Sequence, residues 1–305
     1  MRLGVLDVGS NTVHLQVVDA FAGARPNPRT NLKIELRLSE YVDSQGMVSV
    51  EGVRLLRGAI QECVAEARRA KSDELLPFAT SALREAQNGG EVISQLNREF
   101  DIDLQVLTGE EEAQITFLAA RRWYGWSSGR LLVVDIGGGS LELAVGVNES
   151  ADIALSLPLG ASRLTKNHLD GDPFTKKSVR NLRDYIESQV SEILPALLQH
   201  QDNDRSIATS KTLRTLARLT GDWAGGDGRT LELDDLRKIL PRLSQMNHEE
   251  RSELPGVSKS RARQIVAGAF VAESVMRNLD ISMLEICPWA LREGIVLKWL
   301  DWIRQ

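Results

Sequence analysis

One short segment of this 305-residue chain combines the residue types that phosphate chemistry needs. In "VVDIGGGSLELAVG" (133–146), an apolar run ends at Asp135, and three glycines and a serine follow. Glycine lets backbone N–H groups approach a ligand, and successive N–H groups in a turn form a nest for an anionic oxygen. A carboxylate would repel a bare phosphate but would hold Mg²⁺ or its water shell. The segment therefore predicts a phosphate- and metal-binding hairpin; the alternative is a tight turn that uses glycine only for its geometry.

The same pattern occurs near the N-terminus. "LDVGSNTVHLQVV" (6–18) aligns with "VDIGGGSLELAVG" (134–146), so that Asp7 matches Asp135, and the glycines and the alternating apolar residues coincide. An acid, a glycine turn and an alternating strand thus recur on the scale of a domain. We predict two similar halves that face each other, with a hairpin turn in each that grips phosphate.

An acidic cluster, "TGEEEAQ" (108–114), offers a base. Thr108 and Glu111 have the spacing of a capping box, and acids at a helix start suit the helix dipole. Three acids exceed what a cap requires, and a hydrolase needs a base to orient or deprotonate water. Spacing alone does not choose among Glu110, Glu111 and Glu112.

Basic residues follow three predicted element ends. Arg84 in "ATSALREAQN" (79–88) is a candidate phosphate contact or a surface arginine at a helix start. The segment "LPLGASRLTKNHL" (157–169) offers Gly160, Arg163 and Lys166 as further candidate phosphate contacts, with a solvated loop as the alternative. The basic segment "VSKSRARQ" (257–264) is typical of a solvated helix face, with attraction of a polyanion as the alternative.

Strands alternating with helices predict an α/β protein. Period-two alternation predicts strands over 3–8, 12–19 and 31–42, and helical spacing predicts long helices over roughly 173–199, 210–220, 232–246 and 258–278, with a flexible loop at 222–230. We expect two domains, 1–123 and 124–305, with a C-terminal helix of about 293–305 packed on the first. The stripe formed by Trp299 and Trp302 indicates core, with a homodimer contact as the alternative.

Composition and residue patterns argue against several classes of protein. The net charge is −5 and the pI is about 5.6, which argues against a general nucleic-acid-binding protein. No apolar run reaches about 18 residues, so no membrane span is expected, and the N-terminus has no pattern of a secretory signal. Cys63 and Cys287 form neither a disulfide framework nor a zinc spacing, which indicates a reducing cytoplasm.

Taken in order, these segments resemble the exopolyphosphatase/guanosine pentaphosphate phosphohydrolase family. The resemblance is carried by "DVGSNTVHLQVVD", "ATSALREAQN", "LTGEEEAQ", "DIGGGSLELAVG", "LPLGASRLT", "LPGVSKSRARQIVAGA" and "ALREG". It implies an actin-like phosphotransferase fold with two ribonuclease-H-like domains and an interdomain cleft. It also implies release of orthophosphate from inorganic polyphosphate, short chains above all, with Mg²⁺ or Mn²⁺ as cofactor. The alternatives are guanosine pentaphosphate hydrolysis and a non-catalytic guanosine tetraphosphate sensor.

The resemblance also assigns roles to residues. Of the three acids, it selects Glu112 as the catalytic glutamate. The phosphate-binding residues that it implies are Gly9, Ser10, Asn11, Thr12, Arg84, Gly137, Gly138, Gly139 and Ser140. The metal-associated acids that it implies are Asp135, Glu142 and, in the first half, Asp7.

Three positions depart from the family pattern. Leu141 replaces a threonine, Ser210-Lys211-Thr212 stands where a glycine-containing loop is usual, and Arg263 replaces an acid. The second departure counts against an adenosine pocket, and therefore against a kinase built on the same fold. It also adds a lysine as a candidate phosphate contact.

Overall fold

Strands and helices alternate along the chain, which a computed structural model describes at residues 1–21, 23–200 and 202–303. The strands are β1 (Arg2–Val8), β2 (Thr12–Asp19), β3 (Asn27–Glu35), β4 (Glu74–Ala79), β5 (Gln105–Val106), β6 (Leu131–Ile136), β7 (Leu141–Gly146), β8 (Ile153–Leu157), β9 (Arg205–Ala208), β10 (Thr230–Glu232) and β11 (Met283–Ile286). The helices are α1 (Val50–Arg69), α2 (Ser81–Arg84), α3 (Gly89–Phe100), α4 (Gly109–Tyr124), α5 (Ala161–His168), α6 (Lys176–Leu198), α7 (Lys211–Ala224), α8 (Leu233–Gln245), α9 (His248–Ser252), α10 (Lys259–Ala262), α11 (Ile265–Asn278) and α12 (Leu291–Trp302).

Two sheets repeat one strand order. In the described chain, the first sheet has the order β3-β2-β1-β4-β5, and the second has β8-β7-β6-β9-β11 with β10 added at its edge. In the first sheet, β1 is antiparallel to β2 and parallel to β4. In the second sheet, β6 is likewise antiparallel to β7 and parallel to β9. The predicted α/β fold with two ribonuclease-H-like halves is confirmed.

Contacts divide the chain into two compact units. Unit 1 comprises Met1–Ile115 and Leu291–Gln305, and unit 2 comprises Thr116–Ala290. The first division therefore falls inside helix α4 rather than at its end. Of the C-terminal helix expected over 293–305, residues 304 and 305 lie outside the described residues.

In unit 1, helix α12 covers one face of β1. Val296 and Leu300 pack against Leu3, Val5 and other residues of this face, while α1 covers the opposite face of the sheet. Trp299 packs at the edge of the α12 cluster. Trp302 is 71% exposed, so the core interpretation of the C-terminal stripe is wrong for this residue.

Three predicted boundaries differ from the structure. The strand expected over 31–42 ends at Glu35, because the N–H groups of Leu36 and Arg37 both turn to the carbonyl of Asn11 and Arg37 adopts a positive φ of 50°. The helix expected over 258–278 is interrupted where the N–H of Gln264 bonds to Arg261, three residues back.

The third difference concerns the loop expected over 222–230. Helix α7 continues through Ala224 and ends at Gly225, whose φ of 84° is the left-handed conformation that glycine adopts at helix ends.

Among the described residues, no helix is both long and apolar enough to span a membrane.

Helix α12 approaches the rest of unit 1 so closely that Gly294 has no room for a side chain. A Cβ there would overlap the backbone carbonyl of Ile115, whereas a Cβ on Gly58, in helix α1, would meet nothing within 4 Å. We expect Gly294→Ala to lower the free energy of unfolding by about 1–3 kcal/mol through overpacking. Gly58→Ala, its matched control, should raise it by about 0.5–1 kcal/mol through helix propensity. Chemical denaturation measures both, and equal effects would contradict the packing of α12.

Candidate functional site

The two glycine turns form equivalent hairpins. In the first hairpin turn (Gly9–Thr12), the N–H of Gly9 donates to the carbonyl of Thr12 at 3.0 Å. In the second hairpin turn (Gly137–Ser140), the N–H of Gly137 donates to the carbonyl of Ser140 at 2.9 Å. The sequence repeat is therefore a repeat of backbone geometry.

The start of helix α5 fixes the second hairpin turn. The N–H of Ala161 donates to the Gly137 carbonyl at 3.0 Å, and the Nε of Arg163 donates to the Gly139 carbonyl at 2.7 Å. Gly160 lies against Gly139 so closely that a Cβ would overlap its backbone. The "LPLGASR" motif thus supports the turn by donating to its carbonyl groups, and the phosphate contact considered for Arg163 stays a prediction.

Backbone donors remain available in this turn. Within the described chain, the N–H groups of Gly138 and Gly139 donate to no protein acceptor, while the carbonyl of Gly138 accepts from Ser162 and Arg163. Carbonyls held in this way leave the N–H groups for an external acceptor. This is the arrangement that a backbone anion nest requires.

Asp135 and Glu142 lie beside the second hairpin turn as direct cross-strand partners of β6 and β7. Leu132, Val134 and Ile136 point into the core of unit 2, so Asp135 lies on the opposite face of the sheet. Leu141 is likewise buried in the core, which explains why a hydrocarbon side chain is accepted there.

Two hydroxyl groups hold these carboxylates. The Oγ1 of Thr209 donates to Oδ2 of Asp135 at 2.6 Å, and the Oγ of Ser156 donates to Oε1 of Glu142 at 3.0 Å. Thr209 is 1% exposed, at the point where β9 ends. Neither residue was predicted from the sequence.

A signal for Thr209 was present in the sequence. "IATSKTLR" (207–214) repeats "FATSALR" (78–84) at the end of the corresponding strand. The N–H group of Thr80 bonds to the carbonyl of Val8, and that of Thr209 bonds to the carbonyl of Val134, two residues before the counterpart of Val8. Aligning the fourth strands as well as the first would have exposed this repeat. No comparable signal marks Ser156.

Around the first hairpin turn, unit 1 brings together the "GSN" and "ATSALR" segments. The Oγ atoms of Ser10 and Ser81 lie 2.9 Å apart and are buried. The carbonyl of Asn11 accepts from the N–H groups of Leu36 and Arg37, both at 2.9 Å. This turn is therefore fixed from two sides, by the start of α2 and by residues 36 and 37.

The three acids of α4 have different environments. Glu111 accepts from both the N–H and the Oγ1 of Thr108, and these bonds hold its pKa below the ordinary value; the capping-box interpretation is confirmed. Glu110 is exposed. Glu112 is only 7% exposed and forms an ion pair with Nη1 of Arg84.

Arg84 is anchored as well as paired. Its Nη1 also donates to the carbonyl of Leu107 at 2.7 Å, so the guanidinium is fixed at the start of α4. Unit 1 thus places Arg84 directly against Glu112. Its role as a phosphate contact stays a prediction.

Asp7 has an environment unlike that of Asp135. Strand alternation places it on the face that α12 covers. The pKa of Asp7 is raised to about 6, chiefly by burial. The charge of Arg292 partly opposes this rise, and the charge of Glu293 adds to it. His14 lies opposite Asp7 in the hairpin, and Nη1 of Arg292 donates to its Nε2 at 3.1 Å.

The departures at 210–212 and 261–263 lie in unit 2. Ser210 caps helix α7 by accepting from the N–H of Leu213 at 3.2 Å, which places Lys211 in the first turn. Nη1 of Arg261 donates to Thr212 at 3.3 Å. This threonine is buried, so the segment is built as a capped helix start.

The residues available for a metal ion are oxygen donors. In residues 1–21, 23–200 and 202–303, no three His, Cys, Asp or Glu side chains converge as a metal cluster. Asp135 and Glu142 nevertheless share one face and one level of the sheet. Mg²⁺ commonly binds through one or two carboxylates and completes its octahedron with water and substrate phosphate, and this pair fits that mode.

Comparison with known proteins gives consistent matches over the whole chain. The model of the Ppx/GppA phosphatase family matches residues 17–302. The chain is 51% identical to Exopolyphosphatase 1 of Mycobacterium tuberculosis, over 99% of this chain and 89% of that one. It is 26% identical to a guanosine-5'-triphosphate,3'-diphosphate pyrophosphatase of Vibrio campbellii, over 98% of this chain and 59% of that one.

Solved structures have the same fold. An exopolyphosphatase from Cytophaga hutchinsonii superposes with a TM-score of 0.88 at 23% identity, covering 99% of this chain and 98% of that one. A Ppx/GppA family member from Aquifex aeolicus superposes with a TM-score of 0.82 at 24% identity, covering 100% and 99%.

The raised pKa of Asp7 predicts a pH dependence of stability in metal-free buffer. Because its folded pKa of about 6 exceeds the unfolded value of 3.8, the carboxyl group destabilises the fold progressively as the pH rises from 4 to 6. Asp7→Asn removes this loss. The difference in unfolding free energy between the variant and the wild type should therefore be up to about 3 kcal/mol more favourable to the variant at pH 8 than at pH 4.

The control is Asp19→Asn. Arg2 and Arg29 lower the pKa of Asp19, so its contribution is present above its unfolded pKa and is lost as the pH falls. Because both the unfolded pKa of 3.8 and the lower folded pKa lie below this range, the relative stability of this variant should stay nearly constant between pH 4 and pH 8. Denaturant titrations at both pH values measure the difference, and parallel curves for the two variants would refute the environment described for Asp7.

Proposed function

Because the chain belongs to the Ppx/GppA phosphatase family, we propose that it is an exopolyphosphatase, which releases orthophosphate from the ends of inorganic polyphosphate. The observation that carries the proposal is the buried carboxylate of Glu112, held by Arg84 at the start of α4. The 51% identity to Exopolyphosphatase 1 over the whole chain supports polyphosphate as the substrate.

We assign substrate binding to the hairpin turns. The N–H groups of Gly138 and Gly139, whose turn is fixed by α5, donate to phosphoryl oxygens, and the first hairpin turn acts in the same way. Ser10 and Ser140 are buried at these turns, where their hydroxyl groups add donors. Fixed donors need no reorganisation when charge develops on the transferred phosphoryl group.

We assign the divalent cation, Mg²⁺ or Mn²⁺, to Asp135 and Glu142, with Asp7 as a further candidate in unit 1. A cation bound there supplies positive charge to the phosphoryl oxygens. Thr209 and Ser156 orient the two carboxylates by donating to one oxygen of each.

Glu112 orients the attacking water and accepts its proton, while Arg84 fixes the carboxylate in position. The bond from water oxygen to the terminal phosphorus forms as the bridging P–O bond breaks. Orthophosphate and a chain one unit shorter are the products. We place the reaction in the cytoplasm, in agreement with the two free, buried cysteines.

Guanosine pentaphosphate is the second candidate substrate, because the chain is also 26% identical to Vibrio enzymes named for that reaction. The chain spans 59% of those enzymes but 89% of Exopolyphosphatase 1. Polyphosphate is therefore the first substrate to test, with short chains beside long ones.

Glu112→Gln tests the base. Glutamine keeps the volume and an oxygen that accepts from Arg84, but it cannot take a proton, so orthophosphate release should fall by about 10²–10⁴-fold. Glu111→Gln is the matched control, because it makes the same change at the neighbouring acid. Glu111 belongs to the capping box of α4, so this variant should retain most activity. Release is measured with polyphosphate and guanosine pentaphosphate in parallel.

The outcomes separate the alternatives. Equal activity of both variants would exclude Glu112 as the base. Binding without release by the wild type on either substrate would refute the hydrolase proposal and favour a sensor.

Thr209→Val tests the positioning of Asp135. The substitution preserves shape but removes the hydroxyl donor, and loss of such an outer-shell partner typically weakens metal binding by about 10–100-fold. Thr209→Ser retains the hydroxyl and should stay close to the wild type. Mn²⁺ titration followed by electron paramagnetic resonance measures affinity directly; unchanged affinity in Thr209→Val would contradict the role.

A further inference from the structure

Helices α6 and α11 of unit 2 enclose an open groove of about 590 Å³ that none of the assigned roles uses. Lys176, Arg180 and Arg183 line it from α6, at a spacing that places them on one helix face. Arg277 and Glu273 line it from α11. The protein as a whole has a net charge of −5, so this concentration of cations stands out against the average.

The acids at one end of the groove are already neutralised. Glu187 accepts from Nη2 of Arg277 at 2.6 Å and from Ser274 at 3.0 Å. Glu273 lies 3.3 Å from Arg237 and 3.4 Å from Arg277. The bonds of Glu187 join α6 to α11, and the Glu273–Arg237 pair joins α11 to α8.

The three cations of α6 are not neutralised in this way. In the described chain, Lys176, Arg180 and Arg183 form no ion pair and no side-chain hydrogen bond. The guanidinium of Arg183 lies over the ring of Phe270, 5.7 Å from its centroid. Asp184 is the one lining acid without a basic partner. The groove therefore has an excess of positive charge that an anion would compensate.

The floor of the groove restricts the class of anion. Phe270 is 7% exposed and Ile186 is 1% exposed, so no aromatic face is available for a nucleobase to stack on. Charged side chains provide most of the exposed polar groups, and the partly buried Val179 lies among them. This favours an inorganic phosphate chain over a nucleotide, because a chain of oxyanions needs cations at intervals and no apolar pocket.

The groove belongs to the same packed layer as the second hairpin turn. Helices α6 and α11 both pack against α5, and the first residues of α5 hold the turn through Gly137 and Gly138. We propose that the α6–α11 groove is an accessory binding site for polyphosphate, which holds phosphate units of the chain other than the one being hydrolysed. This inference rests on the proposed function for the identity of its ligand.

The test compares Arg180→Gln/Arg183→Gln with a control of equal charge change, Arg68→Gln/Arg98→Gln. Arg68 and Arg98 are exposed on α1 and α3 of unit 1. Binding of fluorescently labelled long-chain polyphosphate is measured in EDTA, so that no hydrolysis occurs, together with thermal unfolding to verify the fold. The groove variant should bind about tenfold more weakly than the control, and Arg180→Lys/Arg183→Lys should restore most of the affinity.

Kinetics then separate this site from the reaction itself. In the groove variant, KM for long chains should rise about tenfold, while kcat and the hydrolysis of tripolyphosphate should match the control. Equal long-chain affinity in the groove and control variants would overturn the groove proposal while leaving the hydrolase intact. If the wild type hydrolysed nothing, the proposed function would fail, and the binding comparison would still decide the groove.

Discussion

The period-two alternation of β-strands is the constraint on which the candidate site depends. In β6, Leu132, Val134 and Ile136 enter the core of unit 2, and this forces Asp135 to the opposite face. The register of the hairpin then sets Glu142 directly across from it. A shift of one residue would bury both carboxylates in the core and expose the leucines. The hydrophobic core thus fixes the position of the polar site.

The same constraint acts in β1 with a different result. Alternation again moves the acid, Asp7, away from the core face, but α12 covers that side of the sheet. Burial consequently raises the pKa of Asp7 to about 6. Asp135 instead receives a hydrogen bond from Thr209. Two copies of one sequence motif therefore hold their acids in different electrostatic environments, because different elements pack over them.

The sequence was informative where the signal was local or repeated. The alternation and glycine pattern predicted both hairpins, and the repeat predicted two similar halves, which the matching strand orders confirm. It could not rank Glu110, Glu111 and Glu112, because the ranking depends on where Arg84 and Thr108 lie in space. Strand β3 was predicted too long because its end is set by bonds to Asn11, far away in sequence. Ser156 was missed for the same reason: its partner Glu142 lies on a neighbouring strand.

The proposed assignment divides the roles between the two units in a way that a single hairpin could not achieve. An acid close to a backbone anion nest repels the phosphate unless a cation intervenes, and a general base close to that cation loses its proton affinity. Unit 2 holds two oriented carboxylates, Asp135 and Glu142, to which we assign the cation. Unit 1 contributes Glu112, whose charge is balanced by Arg84 rather than by a metal ligand set. Because the proposed base lies in unit 1 and the oriented carboxylate pair lies in unit 2, each can be tuned without disturbing the other.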